Sequence, residues 1–529
     1  MPLKSNDFGY LASDLARQIK SAEQFKPNLY RCSGEIKMRR FLFTLFFLGG
    51  CLISAQTPTL VQSVWGENSL GYNIAGWPGN PQLYYAIEFP EPTLPGNLLV
   101  CSAVSSGSPS FAISDDKGEA WSTGGPNYPF RDSNNDSEFI WYQANNAGGV
   151  RQVKVTSTSN PGYVSVTCSE FYNVATSSAL DGTAGCKTVS GSTLTGTATG
   201  TLASGDLVYF VSYSTNTMKA SSFTAGSQSN IAWMLDAVDL LDGYAVQHGV
   251  YSSTGSFTPQ MTTGGAGSYT SCEVMFKAAS AGTAPTQSMR VVHLGHFSFP
   301  DSGTTQNIQM PSSGNLLVAS FTAGGDSISG ISSTPANTWT STGAMAGGPS
   351  LNASSQIYYA GNASTSPTMA VAVTRAGSLS NDNLLIYDVT GANASPLDRD
   401  SSGQSGLLSS AVSSFTTCSS CLTPSAAGEL VVMNANQDWC TGTAVTAPPG
   451  ALFDSAFTTM DSVDGAQPID QNGEWAHLYT TNTSPITASW SMSCDEAELY
   501  WAGRVAAFKA APQTQPTPPS SVQGTVQPQ

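Results

Sequence analysis

The chain has 529 residues, of which 11% are charged and 40% apolar, with 51 glycines and a formal net charge of −16. An ordinary soluble domain carries about 25% charged residues, so this profile excludes a charge-rich disordered chain, and the acidic balance excludes nucleic acid and anionic lipid as partners. Crowded glycine, serine and threonine beside ample apolar residues point instead to an all-β chain whose outward strand faces carry hydroxyls.

Residues 1–37 are ordinary and charged, and read as a misassigned extension ahead of a true start at Met38. Met38-Arg39-Arg40, the apolar run Phe41 to Leu48 and the small pair Ser54-Ala55 follow in the order of a secretory signal peptide, 38–55, cleaved before Gln56. The apolar run is too short to span a bilayer, so no transmembrane segment is expected and the address is secreted or cell-surface. Leu48-Gly49-Gly50-Cys51 also fits a lipobox that would leave Cys51 lipid-anchored, but Leu52 and Ile53 continue the apolar run where a tether would turn polar. Loss of residues 1–55 removes eight basic and four acidic residues from totals of 20 and 36, and the mature chain carries 12 against 32, a net of −20.

Gly96-Asn97-Leu98-Leu99-Val100 returns as Gly314-Asn315-Leu316-Leu317-Val318, 218 residues later, and each glycine is followed after 25 residues by a tryptophan, Trp121 and Trp339. The chain is a tandem duplication: copy one over 57–280, a linker at 281–285, copy two over 286–511, and an uncharged Pro/Gln/Thr tail over 512–529 expected to be disordered. In copy one Tyr163 to Ser169 alternates, with Val164, Val166 and Cys168 on one face and Ser165, Thr167 and Ser169 on the other, as a half-buried strand does. Val153 with Val155, and Met369, Val371 and Val373 in copy two, follow the same period. Asp115-Asp116-Lys117-Gly118 reads as a tight turn. Ile231 to Leu241 is the one helix-like run, and fits a strand equally well. A second start, Gly205-Asp206-Leu207-Val208 and Gly428-Glu429-Leu430-Val431, divides each copy into two strand-rich halves. The expected architecture is two tandem jelly-roll-like antiparallel β-sandwich domains.

These residues, together with Ile140-Trp141-Tyr142, Tyr387-Asp388-Val389-Thr390-Gly391-Ala392, Ser395-Pro396-Leu397-Asp398 and the closing Phe276-Lys277-Ala278 and Phe508-Lys509-Ala510, resemble a tandem β-sandwich repeat of exported bacterial proteins. The resemblance covers nearly all of residues 57–511. It implies the fold and export, and no particular chemistry.

Of ten cysteines, Cys101, Cys168, Cys186, Cys272, Cys418, Cys421, Cys440 and Cys494 lie in the copies, where an exported chain uses them as disulfides. Alignment places Ala319 opposite Cys101 and Leu385 opposite Cys168, and copy-specific occurrence favours 101–168, 186–272 and 440–494. Cys418-Ser419-Ser420-Cys421 has redox spacing but no helix start to lower a thiol pKa, so a structural disulfide is preferred to a redox centre or to a zinc site with His477. Asp132, Asn134, Asp136 and Glu138 alternate in a loop as candidate Ca²⁺ ligands, although Gln143 at the twelfth position rules out an EF-hand and Ser355 replaces Glu138 in copy two. Calcium is the one cofactor contemplated.

Catalytic signals are thin, and no catalytic residue is assigned. Gly325-Asp326-Ser327 falls in a Gly/Ser loop without the helix of an esterase elbow. His293 and His296 would point to opposite faces of a strand. Asp181 with Asp398, and Asp206 with Glu429, recur between copies at turns that they would cap. A glycoside hydrolase or lyase on a jelly-roll scaffold would draw on Glu138, Glu474 or Asp236. The favoured expectation is a non-catalytic adhesion or binding protein for a neutral glycan or cell-surface polymer, with Trp65, Trp77, Trp141, Trp439 and Trp475 as candidate contacts. A structural, self-associating matrix component is the third reading.

Overall fold

Strand pairing turns the duplication into one shared sheet. The computed structural model describes residues 56–512, apart from 69–82, 106–109, 126–127, 133–134, 158–163, 215–219, 241–242, 299–304, 349, 351–352, 378–382, 409–411, 439–446, 455–470 and 495–498. The signal peptide, Cys51, the tail, Trp77, Asn134, Trp439 and Cys440 lie outside the described residues, as does the side chain of Cys494. The all-β expectation holds: the described residues contain strands and no α-helix, and Ile231–Asp239, the helix-like run, is a strand.

In copy one Thr59–Asn68, Val164–Tyr172, Leu98–Ser105 and Ser137–Gln143 lie side by side and end on the short Ser122–Thr123. In copy two Arg290–Ser298, Asn383–Thr390, Leu316–Ala323 and Ala353–Gly361 repeat that order and end on Thr340–Ser341. The leading strands of the two copies then pair in parallel, Ser63 with His293, Val64 with Leu294 and Trp65 with Gly295. Close approach requires the glycine, because a Cβ at position 295 would stand 2.8 Å from the Trp65 indole nitrogen. The product is one 12-stranded sheet, and residues from Ala55 onward form a single unit. The expectation of two separate sandwiches is therefore corrected: the edge strand that each sandwich would have had to protect is covered by its duplicate.

Equivalent strands that pair in parallel are related by a two-fold axis running along them, since an axis normal to the sheet would make them antiparallel. Such an axis turns the second half-sheet over, and the cores show that it does. Leu98 and Val100 share one core with Leu207 and Tyr209 of copy one's six-stranded sheet, and with Leu317, Ala319, Val371 and Val373 of copy two. Leu316 and Val318, the counterparts of Leu98 and Val100, lie in the opposite core with Leu430 and Val432, beside Leu99, Cys101, Val153 and Val155 of copy one. Each copy thus contributes a three-stranded and a six-stranded sheet to opposite faces of the shared one, a four-bladed, propeller-like arrangement of flanking sheets.

Burial on both faces changes the meaning of the alternating strands. Met369–Arg375 is half-buried as its period predicts, but Val164–Tyr172 is buried on both sides. Its Ser165, Thr167 and Ser169 face a second sheet instead of water. Ser165 donates to Asp239 (2.8 Å), Tyr244 donates to Thr167 (2.8 Å), and Ser169 reaches the Asp236 carboxylate (3.4 Å). A hydroxyl row is compatible with burial when the facing sheet supplies its partners.

Two of the expected disulfides join neighbouring strands at paired positions, Cys101–Cys168 and Cys186–Cys272, and Cys418–Cys421 closes on itself within the strand Val412–Leu422. Strand register sets Ile386, not Leu385, in the place of Cys168: Cys101 faces Cys168 as Ala319 faces Ile386. The expected 440–494 pair falls outside the described side chains. The Cys101–Cys168 bridge closes a 67-residue separation, so replacing both cysteines with alanine should lower stability by about 4 kcal/mol, read as a lower urea midpoint with a steeper slope as the freed unfolded chain expands.

Candidate functional site

The sequence candidates for chemistry are mostly interior. Asp132 accepts the Asp136 amide through its carboxylate (2.9 Å), closing the local turn, while Glu138 sits on the next strand, 1% exposed and turned into the core. Among the described residues no three His, Cys, Asp or Glu side chains form a metal-holding group. Burial, and then the charge of Glu273, hold the Glu138 carboxyl well above the ordinary range, and burial brings Glu273 up to about 7. Glu474 and Asp236 are also buried, on different strands of different copies. Asp206 accepts the amides of Ala203 (2.7 Å) and Ala278 (3.1 Å) and pairs with Asp181, while Glu429 accepts the Ala426 amide (3.1 Å) and pairs with Asp398. Both pairs fasten turns.

Register exposes equivalences that spacing hides. His248 faces Tyr209 as His477 faces Val432, and Asp236 follows Leu235 as Asp454 follows Phe453. In each copy the aspartate takes the histidine Nδ1, at 2.6 Å in copy one and 2.8 Å in copy two. A hydroxyl from the shared sheet also reaches each aspartate, from Ser169 in copy one and from Tyr387 in copy two (2.9 Å). A second duplicated pair is Gln62–Glu170 (2.6 Å) and His293–Asp388 (2.8 Å), each at the same bulge of the leading strand. His296 lies against Trp475 at 5.5 Å, and burial lowers it to about 4. Among the described residues these pairs tie neighbouring strands and sheets together.

One pair also crosses between copies. His477 Nε2 lies 3.2 Å from Glu91 of copy one, and Arg151 of copy one bonds the Phe453 carbonyl (2.5 Å) beside Asp454 and Glu88. Burial alone would lower His477, but Asp454 and Glu91 outweigh it and raise the imidazole to about 9. Burial raises Glu88 to about 7 against Arg151 and Gln152. A cavity of about 190 Å³ adjoins this seam, with Gln62, Glu91, Pro285 and Arg290 in its wall. Its polar groups already serve the protein: Gln62 binds the Glu91 backbone and Glu170, and Arg290 binds the Val61 carbonyl.

The tryptophan that marks the repeat reaches the surface in both copies. Trp65, Trp141 and Trp475 are 1%, 6% and 1% exposed, and so belong to the core. Trp121 and Trp339 are half-buried, each just before the short strand that ends the shared sheet. The Trp121 indole N–H donates to Asp115 (2.8 Å), and that of Trp339 donates to Ser333 (3.3 Å), the same position in the other copy. Glu119 accepts the Ala147 amide (3.0 Å), and its counterpart Asn337 accepts the Ser364 amide (2.7 Å). Gly118 closes the copy-one turn, its N–H on the Asp115 carbonyl and its φ at +71°, whereas Pro335-Ala336 replaces Lys117-Gly118 in copy two. The residues have diverged while the ties that fix the indole have not. Each indole is half-buried, and its chain neighbours Ala120 and Ser122 in copy one and Thr338 and Thr340 in copy two are exposed.

No protein-family model matches the chain, and no curated protein is similar to it.

The seam gives a pH dependence with a definite sign. A histidine raised to about 9 stabilises the fold fully below its unfolded value of about 6.5, and that contribution is lost as pH rises through about 9. A carboxyl raised to about 7 likewise favours the fold less as pH climbs from about 4.5 to 7. Unfolding midpoints should therefore fall from about pH 5 to 7 through Glu88 and from about pH 6.5 to 9 through His477, and level off above that. His477→Gln should cost roughly 3–5 kcal/mol at pH 7, because it removes the charged partner of buried Asp454 and leaves it Tyr387 and Arg151, and should flatten the fall between about pH 6.5 and 9; an unchanged fall there would remove His477 from this role.

Proposed function

We propose that the protein is an exported, non-catalytic binding module for a neutral glycan or a neutral cell-surface polymer, and that the Trp121 and Trp339 loops are its contact sites. The observation that carries this reading is the retention, in both copies, of a half-buried indole held by equivalent bonds on residues that have otherwise changed. A ring fixed in orientation and flanked by Ser, Thr and Asn suits a sugar face, which stacks on the aromatic and takes hydrogen bonds at its rim. The net charge of −16 disfavours anionic polymers. Disulfides Cys101–Cys168 and Cys186–Cys272 suit an oxidising compartment, and no helix among the described residues is long and apolar enough to cross a membrane.

Retention of the mature chain on cellulose, chitin and starch particles, at low and high salt, tests the reading. Salt-insensitive retention on at least one is expected, with Trp121→Ala and Trp339→Ala each removing about half of the binding capacity and the double variant lowering apparent affinity at least roughly tenfold, about 1.4 kcal/mol. Failure to bind any of the three, or full binding by the double variant, would sink it.

A further inference from the structure

Resting on that reading, we propose that the protein bridges two separate polymer strands or particles, with one tryptophan loop committed to each. Trp121 packs against the core on one face of the shared sheet, and Trp339 packs against the core on the opposite face. The two short strands that follow them are the two ends of the ten-strand path through that sheet. Neighbouring strands are about 4.8 Å apart, so nine intervals place the loops on the order of 40 Å from one another.

The junction does not let the loops swing to a common side. Parallel pairing of Thr59–Asn68 with Arg290–Ser298 holds the halves edge to edge, and Arg151, Glu91 and His477 lock the flanking sheets across the seam. The linker is pinned as well. Thr283 donates its amide to Asn97 (2.7 Å) and accepts from the Asn97 side chain through its carbonyl (3.0 Å), and the Ala281 carbonyl accepts the Asn173 amide (2.8 Å).

Two sites on a flexible tether would raise avidity for one strand, but that gain is lost where geometry forbids both from engaging together. Sites on opposite faces of a rigid body engage one strand each. The duplication then yields a cross-link, and the turned-over second copy is what makes it one.

The full mature chain is mixed with cellulose, chitin and starch particles, and particle aggregation is followed by light scattering across protein concentration. The expected result is aggregation that rises and then falls as excess protein saturates every site singly. Trp121→Ala or Trp339→Ala alone should leave the particles decorated but dispersed, at least a tenfold loss of scattering at equal bound protein. Ala120→Arg and Thr338→Arg, at exposed positions beside the indoles, repeat the test without touching the core. Binding by the parent protein without aggregation at any concentration overturns bridging and leaves the binding reading standing. Aggregation by the single-loop variants equal to that of the parent also overturns it, and would assign the cross-link to self-association. Absence of binding by the parent removes both readings.

Discussion

Everything in this molecule follows from the parallel pairing of two duplicate strands, Thr59–Asn68 and Arg290–Ser298. Among the described residues the other strand pairs, such as those of Val164–Tyr172 and Asn383–Thr390, are antiparallel, and this parallel contact carries the symmetry of the whole. It turns one copy over, gives each face of the sheet one large and one small cover, and buries the sheet centre on both sides. The cost is polar. A chain composed for one wet face has its serines, threonines and aspartates sealed between layers, and each needs a partner there.

The duplicated buried pairs meet that need. Asp236–His248 and Asp454–His477 look like catalytic dyads when taken alone, yet the shared sheet sends a hydroxyl to each aspartate, and the copy-two histidine spends its other nitrogen on Glu91. The same device serves Gln62–Glu170 and His293–Asp388 at the bulge of the leading strand. A glutamine in one copy and a histidine in the other do the same job, which marks the requirement as a donor facing a buried carboxylate and not as proton transfer. The loops around Trp121 and Trp339 likewise keep their ties through different residues.

Much of this was legible in the sequence. The repeat, the strand class and the Asp115 to Gly118 turn rest on local spacing, which survives folding, and the Cys101–Cys168 pair was favoured by its joint absence from copy two. The shared sheet does not announce itself, because an edge strand awaiting a partner and a strand exposed to water carry the same alternation. The histidine–aspartate equivalence was hidden because the partners are 12 residues apart in copy one and 23 in copy two, so only register aligns them. Trp65, Trp141 and Trp475, offered as contacts, are core residues, whereas Trp121 and Trp339, which the repeat preserves, are half-buried. A constant 25-residue spacing from each glycine was signal enough to single them out.

The docked leading strand also sets a timetable. The chain emerges from the ribosome with Thr59–Asn68 first, and its partner Arg290–Ser298 follows more than 200 residues later. Throughout that interval copy one can complete its own antiparallel pairs while one edge of its central sheet stays open, a template for any other extended segment within reach. Copy two closes that edge when it arrives, so it acts on its neighbour as an intramolecular chaperone. A chain truncated between the copies would keep every residue of copy one and lack the strand that seals it.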